Sequence, residues 1–139
     1  MKTIKNTKEL DKIITENPMS LESVKYIIKN KIDKITSTWC VKQSTLIPSK
    51  ENLGKYGIYV STNEEPEAQK ISLLHKIAHI YYDVSAVDSE QISSLRSIVI
   101  EGFMDRAANE FYLKHKRYVD KYYPKVVSAL EKMKIGKKN

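Results

Sequence analysis

The sequence predicts an α+β fold on three observations. Apolar residues recur at helical spacing through the first 35 residues, which indicates two N-terminal helices. Residues 37–62 are instead rich in β-branched and turn-forming residues, which favours two or three strands. Helical spacing then returns from about residue 67. A chain of 139 residues can bury one hydrophobic core, so we expect a single domain over residues 1–139.

A proline separates the two N-terminal helices. The first should cover residues 7–16, with Thr7 as its N-cap and Asn17-Pro18 as its end. Ser20 is the expected N-cap of the second helix, whose apolar pattern continues to about residue 35. The sheet should therefore begin only after residue 36.

The strand region predicts a small, mostly antiparallel sheet. Ile58-Tyr59-Val60 is its clearest strand core, since all three residues favour strands.

Cys40 is the only cysteine, so no intramolecular disulfide can form, and a reducing intracellular compartment fits. Next to Trp39, this cysteine is expected to be a buried structural thiol rather than a nucleophile.

The second half of the chain predicts helices packed against the sheet. The first should run from about Glu67 to Tyr82, with Pro66 and neighbouring carboxylates favouring its start. The remaining expected features are a loop near Val84 to Ser89, a helical pattern from Ile92 to Tyr122 with Gly102 as a candidate interruption, a stop at Pro124, and a last basic helix with a tail at about 132–139.

The net charge of +7 raises the question of nucleic acid, but the lysines are dispersed over the whole chain. We therefore expect nucleic acid not to be the main partner, and keep a basic nucleic-acid-binding protein as a second alternative.

No run of eighteen apolar residues is present, and the first residues lead into a charged helix. These features predict a cytoplasmic protein without membrane attachment.

Two histidines carry the most specific chemical signal. His75 and His79 are four residues apart on one predicted helix, which places both rings on the same face. Zinc peptidases use this geometry as His-Glu-x-x-His, where the glutamate polarises the zinc-bound water. Here Lys76 occupies the glutamate position. A third ligand is usually needed, and Asp105 on a later helix offers one.

The segment Asp105-x-x-Ala108-Asn109-x-Phe111 is similar to the Glu-x-x-Ala-Asn-x-Phe signature of the ImmA/IrrE family of zincin-like metallopeptidases. The order of elements also resembles this family over roughly residues 20–115. The resemblance implies a zincin-like domain with His75, His79 and Asp105 as metal ligands and zinc as a possible cofactor. It also implies a phage or mobile-element regulator whose partner is a helix-turn-helix repressor or a host regulator.

Two departures from the family pattern bear on activity. The acidic ligand is Asp105 rather than glutamate, and a protonated lysine cannot serve as the general base. Losing a positioned base typically costs about 10²–10⁴-fold in rate. We therefore expect no catalytic residues and a pseudoenzyme that binds and inhibits a protein partner. The alternative is an active zinc-dependent endopeptidase with Glu101 or Glu110 as base.

The identity of the third ligand has two competitors. Asp83 lies four residues beyond His79 on the same helical face, and could bind the metal or orient a ligand. Glu101 lies one turn before Asp105 and could replace it if the register of the two helices were shifted. His115 is too far along the helix to share an ion with Asp105, and is expected at the surface.

Overall fold

The computed structural model describes residues 7–84 and 95–123, which form an α+β arrangement. This part of the chain contains five helices and a small mixed sheet. The elements are α1 (Thr7–Glu16), α2 (Leu21–Asn30), β1 (Ile32–Thr38), β2 (Thr45–Pro48), β3 (Tyr56–Ser61), α3 (Pro66–Tyr81), α4 (Leu95–Lys114) and α5 (residues 116–123).

The two N-terminal helices form where the sequence predicts, but the second is shorter than expected. α1 has the predicted bounds, and Ser20 caps α2 by accepting a hydrogen bond from the Ser23 backbone N–H at 3.1 Å. The prediction that α2 continues to about residue 35 is wrong, because it ends at Asn30. The next residue, Lys31, caps the helix and its carbonyl accepts from the Tyr56 N–H, which begins the pairing of β1 with β3.

The sheet has the order β1-β3-β2 and is mixed. β1 pairs with β3 in parallel, whereas β2 pairs with β3 in antiparallel orientation, so the prediction of a mostly antiparallel sheet is wrong. β3 is the central strand, and its residues Ile58 and Val60 are buried as the sequence predicts. β1 follows α2 almost directly, since α2 ends at Asn30 and β1 begins at Ile32.

Side chains from the end of β3 hold the loop that follows β1. Ser61 Oγ donates to the Val41 carbonyl at 2.7 Å, and Asn63 Nδ2 donates to the carbonyls of Trp39 and Val41. The loop is therefore ordered although the Trp39 ring is 69% exposed. Cys40 is exposed as well, so the prediction of a buried thiol is wrong.

α3 is the central helix of the molecule and packs against β3, α2 and α4. It begins one residue before the predicted start, with Pro66 in its first turn, where a missing N–H costs nothing. Its second half is buried on more than one side. The buried residues are Leu73, Leu74, His75, Ile77, Ala78 and His79.

α4 crosses α3 and completes the hydrophobic core. It continues through Gly102 without the predicted interruption, and ends at Lys114. Met104, Ala108 and Phe111 are almost completely buried and belong to the same core cluster as Leu74 and Ile77 of α3. α4 therefore presents one face to α3 over several turns, which brings its polar residues at that contact close to the histidines.

α5 is attached to α3 through polar contacts. Asp120 accepts hydrogen bonds from Lys70 at 2.9 Å and from Tyr112 at 2.8 Å, and Tyr123 donates to Gln69 Oε1 at 2.6 Å.

No helix in residues 7–84 and 95–123 is both long and apolar enough to cross a membrane. The predicted loop after Val84, the start of the later helix pattern at Ile92, the last basic helix and the tail lie outside the described residues.

Candidate metal centre

His75 and His79 face α4 from one side of α3, and Glu101 of α4 lies between them. The exposed fractions of the two histidines are 8% and 0%. Glu101 Oε2 is 2.5 Å from His75 Nε2 and 3.2 Å from His79 Nε2, and the two Nε2 atoms are 3.2 Å apart. Three potential metal ligands therefore converge on one point between the two helices.

The other nitrogen of each imidazole ring has its own acceptor. His75 Nδ1 lies 2.5 Å from Asp105 Oδ1, and His79 Nδ1 lies 2.9 Å from the Val84 carbonyl oxygen. Histidines that bind metals almost always donate their second ring N–H to a carboxylate or a backbone carbonyl in this way. Both rings are thus oriented with Nε2 toward Glu101.

The turn after α3 supplies the acceptor for His79. Asp83 has a φ of 55°, in the left-handed region that aspartate tolerates better than most residues. This turn brings Val84 back toward the helix, where its N–H donates to the His79 carbonyl at 3.1 Å. The exposed Asp83 is not among the three converging ligand groups, so its position supports a role in the turn.

The chemistry of these groups fits a bound cation. When both Nδ1 atoms carry hydrogens, both Nε2 atoms present lone pairs to each other and to the Glu101 carboxylate. Lone pairs repel at such distances unless a proton or a metal ion lies between them. Two ligands of a tetrahedral zinc ion, each about 2.0–2.1 Å from it, are about 3.3 Å apart, close to the two 3.2 Å separations here. The 2.5 Å between His75 Nε2 and Glu101 Oε2 is instead the distance of a short hydrogen bond, and these two atoms would have to move apart to bind one zinc ion.

The electrostatics of the site follow from burial and from these contacts. Burial opposes the charged form of His75, but the hydrogen bonds to Asp105 and Glu101 outweigh it and raise the pKa of His75. Burial also acts to raise the pKa of Glu101, whereas its hydrogen bonds to His75 and His79 lower the pKa of this carboxyl well below its usual range. Glu101 is therefore ionised and carries the negative charge of an anionic ligand.

Lys76 is half-buried beside the centre. Burial lowers the pKa of its ammonium group, while the charges of Glu101, Asp105 and Glu64 act in the opposite direction. No hydrogen bond or ion pair engages its Nζ among the residues that the structure describes. The group in the position of the peptidase glutamate is therefore a cation close to the ligands.

The structure brings the predicted histidines together but differs from the predicted ligand set at its third member. Glu101, which the sequence gives as an alternative third ligand, contacts the Nε2 atoms of both histidines. Asp105 instead contacts Nδ1 of His75. Asn109 of the predicted signature donates to the Asp105 backbone carbonyl, and Ala108 and Phe111 are core residues. The described geometry therefore favours Glu101 as ligand and Asp105 as a partner that orients His75.

One contact of the centre could not be found from sequence patterns. The Val84 carbonyl carries no side-chain signal, and it depends on the turn at Asp83. The only hint of a shared role for Glu101 and Asp105 is their spacing of four residues, which places both on one face of α4.

Comparisons with known proteins add no relative: no protein-family model matches the chain, and no curated protein or solved structure is detectably similar to it. The resemblance to ImmA/IrrE metallopeptidases therefore depends on the short motifs alone and stays a prediction.

Proposed function

We propose that the protein is a zinc-binding, zincin-like regulatory protein that lacks peptidase activity and acts by binding and inhibiting a protein partner. The observation that carries the proposal is the convergence of His75, His79 and Glu101, each with one ligand atom within 4.8 Å of the others. Two imidazoles and one carboxylate are a common zinc ligand set, and three protein ligands leave one position open.

The contacts around the ligands support zinc over a purely structural cluster. A structural pair of buried histidines needs only its own hydrogen-bond partners, and Asp105 and Val84 already supply these to the two Nδ1 atoms. The two Nε2 atoms are then left facing one carboxylate oxygen. An ion bound there would satisfy all three groups at once.

The absence of peptidase activity follows from the residue beside the ligands. Lys76 stands where a zinc peptidase has its general base, and an ammonium group donates hydrogen bonds but accepts none. The carboxylate of Glu101 contacts both histidines, and Glu64 accepts a hydrogen bond from Ser72. Glu110, the other candidate base, lines a separate cleft with Pro18 and Tyr82. Neither Glu101 nor Glu110 is thus placed to replace the missing glutamate.

A regulatory role with a protein partner is the part of the proposal that the family resemblance supports. A zincin-like domain that lacks the general base still has the metal and the surface around it, and these are sufficient to bind a protein partner. A helix-turn-helix repressor or a host regulator encoded or targeted by a mobile element is the partner that the resemblance suggests.

The first test is the zinc content of the protein, by elemental analysis after purification without chelators or a histidine tag. We expect one zinc per chain, lost in His79→Ala and in Glu101→Gln. His115→Ala is the matched control, because the His115 ring contacts Phe111, with ring centroids 4.7 Å apart, and lies outside the ligand set, so the variant should keep zinc. Wild-type protein without zinc, even after incubation with it, would contradict the metal site. Chelator-sensitive cleavage of a repressor would contradict the absence of peptidase activity.

A further inference from the structure

The C-terminal turn of α3 contacts both the backbone and the ring of His79. The Val84 N–H donates to the His79 carbonyl at 3.1 Å, and the Asp83 N–H donates to the Ile80 carbonyl at 3.2 Å. With Asp83 in the left-handed conformation, these two hydrogen bonds form a Schellman motif, a common end of α-helices. The Val84 carbonyl in turn accepts a hydrogen bond from His79 Nδ1 at 2.9 Å. Val84 thus holds the backbone and the ring of one proposed ligand.

The conformation of Asp83 determines where the Val84 carbonyl lies. Among the residues that the structure describes, Asp83 is the only one other than glycine with a positive φ. Glycine is the usual residue at this position of a Schellman motif, because a Cβ disfavours the left-handed conformation. With a negative φ at Asp83, the chain would leave the helix in another direction and the Val84 carbonyl would not reach His79. Once the turn has formed, Val84 is fixed by the core, since it is only 1% exposed.

The hydrogen bond to Val84 also decides which nitrogen of His79 is available to a metal. A carbonyl oxygen only accepts hydrogen bonds, so Nδ1 of His79 carries a hydrogen. In the neutral ring Nε2 then has the lone pair, and it lies 3.2 Å from both His75 Nε2 and Glu101 Oε2. The opposite tautomer would place the hydrogen on Nε2, which could not then bind a metal. The partner of the outer nitrogen therefore sets both the tautomer and the direction of the ring.

We propose that Asp83 is a positioning residue of the metal centre and acts through its left-handed backbone rather than through its carboxylate. The inference rests on the proposed zinc binding by His75, His79 and Glu101. The turn at Asp83 places the Val84 carbonyl at His79 Nδ1, and this contact directs Nε2 toward the other two ligands. The zinc affinity of the centre thus depends on how α3 ends.

This role differs from that of a third ligand, which the sequence also allows for Asp83. Its side chain is exposed, and the ligand atoms that converge are those of His75, His79 and Glu101. A backbone role requires only a residue that adopts the left-handed conformation. Glycine meets this requirement without a carboxylate, whereas proline and valine do not.

The first measurement is the zinc affinity of variants at position 83, by competition with a chromogenic chelator. Asp83→Gly should keep the affinity of the wild type, because glycine forms the same turn. Asp83→Pro should lower it about 10–100-fold, since the proline ring fixes φ at about −65° and the contact to His79 is lost. Asp83→Val should lower it by a smaller factor, because a β-branched side chain disfavours the turn without excluding it.

The second measurement is heteronuclear NMR of the imidazole N–H groups in the zinc-loaded protein. The wild type and Asp83→Gly should show a slowly exchanging His79 Nδ1–H, and Asp83→Pro and Asp83→Val should lose it or exchange it faster. The matched controls are Gly54→Pro and Gly54→Val, because Gly54 in the β2–β3 turn also has a positive φ, of 84°. They should lower the Tm but keep the zinc affinity and the His79 signal.

The outcomes separate this inference from the metal site itself. Loss of zinc in Asp83→Gly would show that the carboxylate is required and would overturn the inference. Wild-type affinity in Asp83→Pro and Asp83→Val would overturn it too, as would an equal loss of affinity in the Gly54 variants; if Asp83→Pro does not fold, Asp83→Val decides. All of these results leave zinc bound to the wild type. Failure of the wild type to bind zinc would overturn both proposals.

Discussion

Glu101 and Asp105 are one helical turn apart on α4, but they contact different nitrogens of His75. Glu101 lies at Nε2, which it shares with His79, and Asp105 lies at Nδ1. A direct ligand contributes a bond to the metal, whereas an orienting carboxylate contributes only the position and basicity of the ring. The two residues should therefore differ in how much zinc affinity depends on them.

Replacing each carboxylate by its amide separates these roles. Glu101→Gln should lower zinc affinity by more than Asp105→Asn, for which we expect a loss of about 10–100-fold. Competition with a chromogenic chelator measures both affinities on the same scale. The opposite order would show that Asp105 is the ligand, as the sequence motif suggests, and that Glu101 plays the lesser part.

Asp120 makes stability depend on pH through a single side chain. Hydrogen bonds from Lys116, Lys70 and Tyr112 hold the pKa of Asp120 well below its usual range. Since its pKa is lower in the folded state, its stabilising contribution is complete above the unfolded pKa of about 3.9 and disappears as the pH falls through the folded value. Asp120→Asn should therefore lower the Tm near pH 7, and the difference should shrink below about pH 4. A difference that is the same in acid would show that the carboxylate charge is not responsible.

The histidine pair could be predicted from sequence because its geometry is local. Spacing of four residues fixes the relation of His75 to His79 wherever the helix packs. The choice between Glu101 and Asp105 could not be made in the same way, because both lie on one face of α4. The position at which α4 crosses α3 decides which carboxylate contacts the Nε2 atoms of the two histidines.

At the scale of elements, the junction of α2 and β1 shows where apolar spacing is ambiguous. Ile28, Ile32 and Ile35 continue the helical pattern of α2, yet β1 begins at Ile32. Isoleucine is β-branched and favours strands, and here pairing with β3 outweighs helical periodicity. The strand partner is more than twenty residues away in the sequence, so the local pattern could not reveal it.

Alanine substitutions at two glycines are expected to change the stability of the fold in opposite directions. Gly54 has a φ of +84°, a conformation that alanine adopts poorly, so Gly54→Ala should destabilise the fold by about 1 kcal/mol or more. Gly102 lies inside α4, where an added Cβ would meet nothing within 4 Å, so Gly102→Ala should stabilise by up to about 1 kcal/mol. Urea unfolding followed by circular dichroism measures both. A destabilising Gly102→Ala would indicate that the helix is strained at the point where the sequence suggests a break.

At the scale of the whole molecule, the centre joins α3 and α4, the two elements that contribute the most buried hydrophobic residues in the described part of the chain. His79 on α3 and Glu101 on α4 are 22 residues apart in sequence, but their ligand atoms are 3.2 Å apart. An ion that binds all three ligands binds the folded state and not the unfolded chain. Zinc should thus stabilise the whole fold rather than the site alone.

This coupling predicts a zinc-dependent Tm. Free zinc at a hundredfold excess over its Kd should add about 2.7 kcal/mol to the free energy of unfolding, which raises the Tm by several degrees. Differential scanning calorimetry of the wild type and of Glu101→Gln, each with and without zinc, is the measurement. An equal shift in both proteins would mean that zinc acts elsewhere on the molecule.

The ordered loop after β1 determines what an optical experiment on this protein can detect. Trp39 is the only tryptophan, and its ring is 69% exposed although Asn63 holds the backbone beside it. Its fluorescence emission should already be that of an indole in water in the native state, and should change little on unfolding. A blue shift on mixing with a partner would instead report that the partner covers this loop, so the same residue that is a poor probe of unfolding is a sensitive probe of binding.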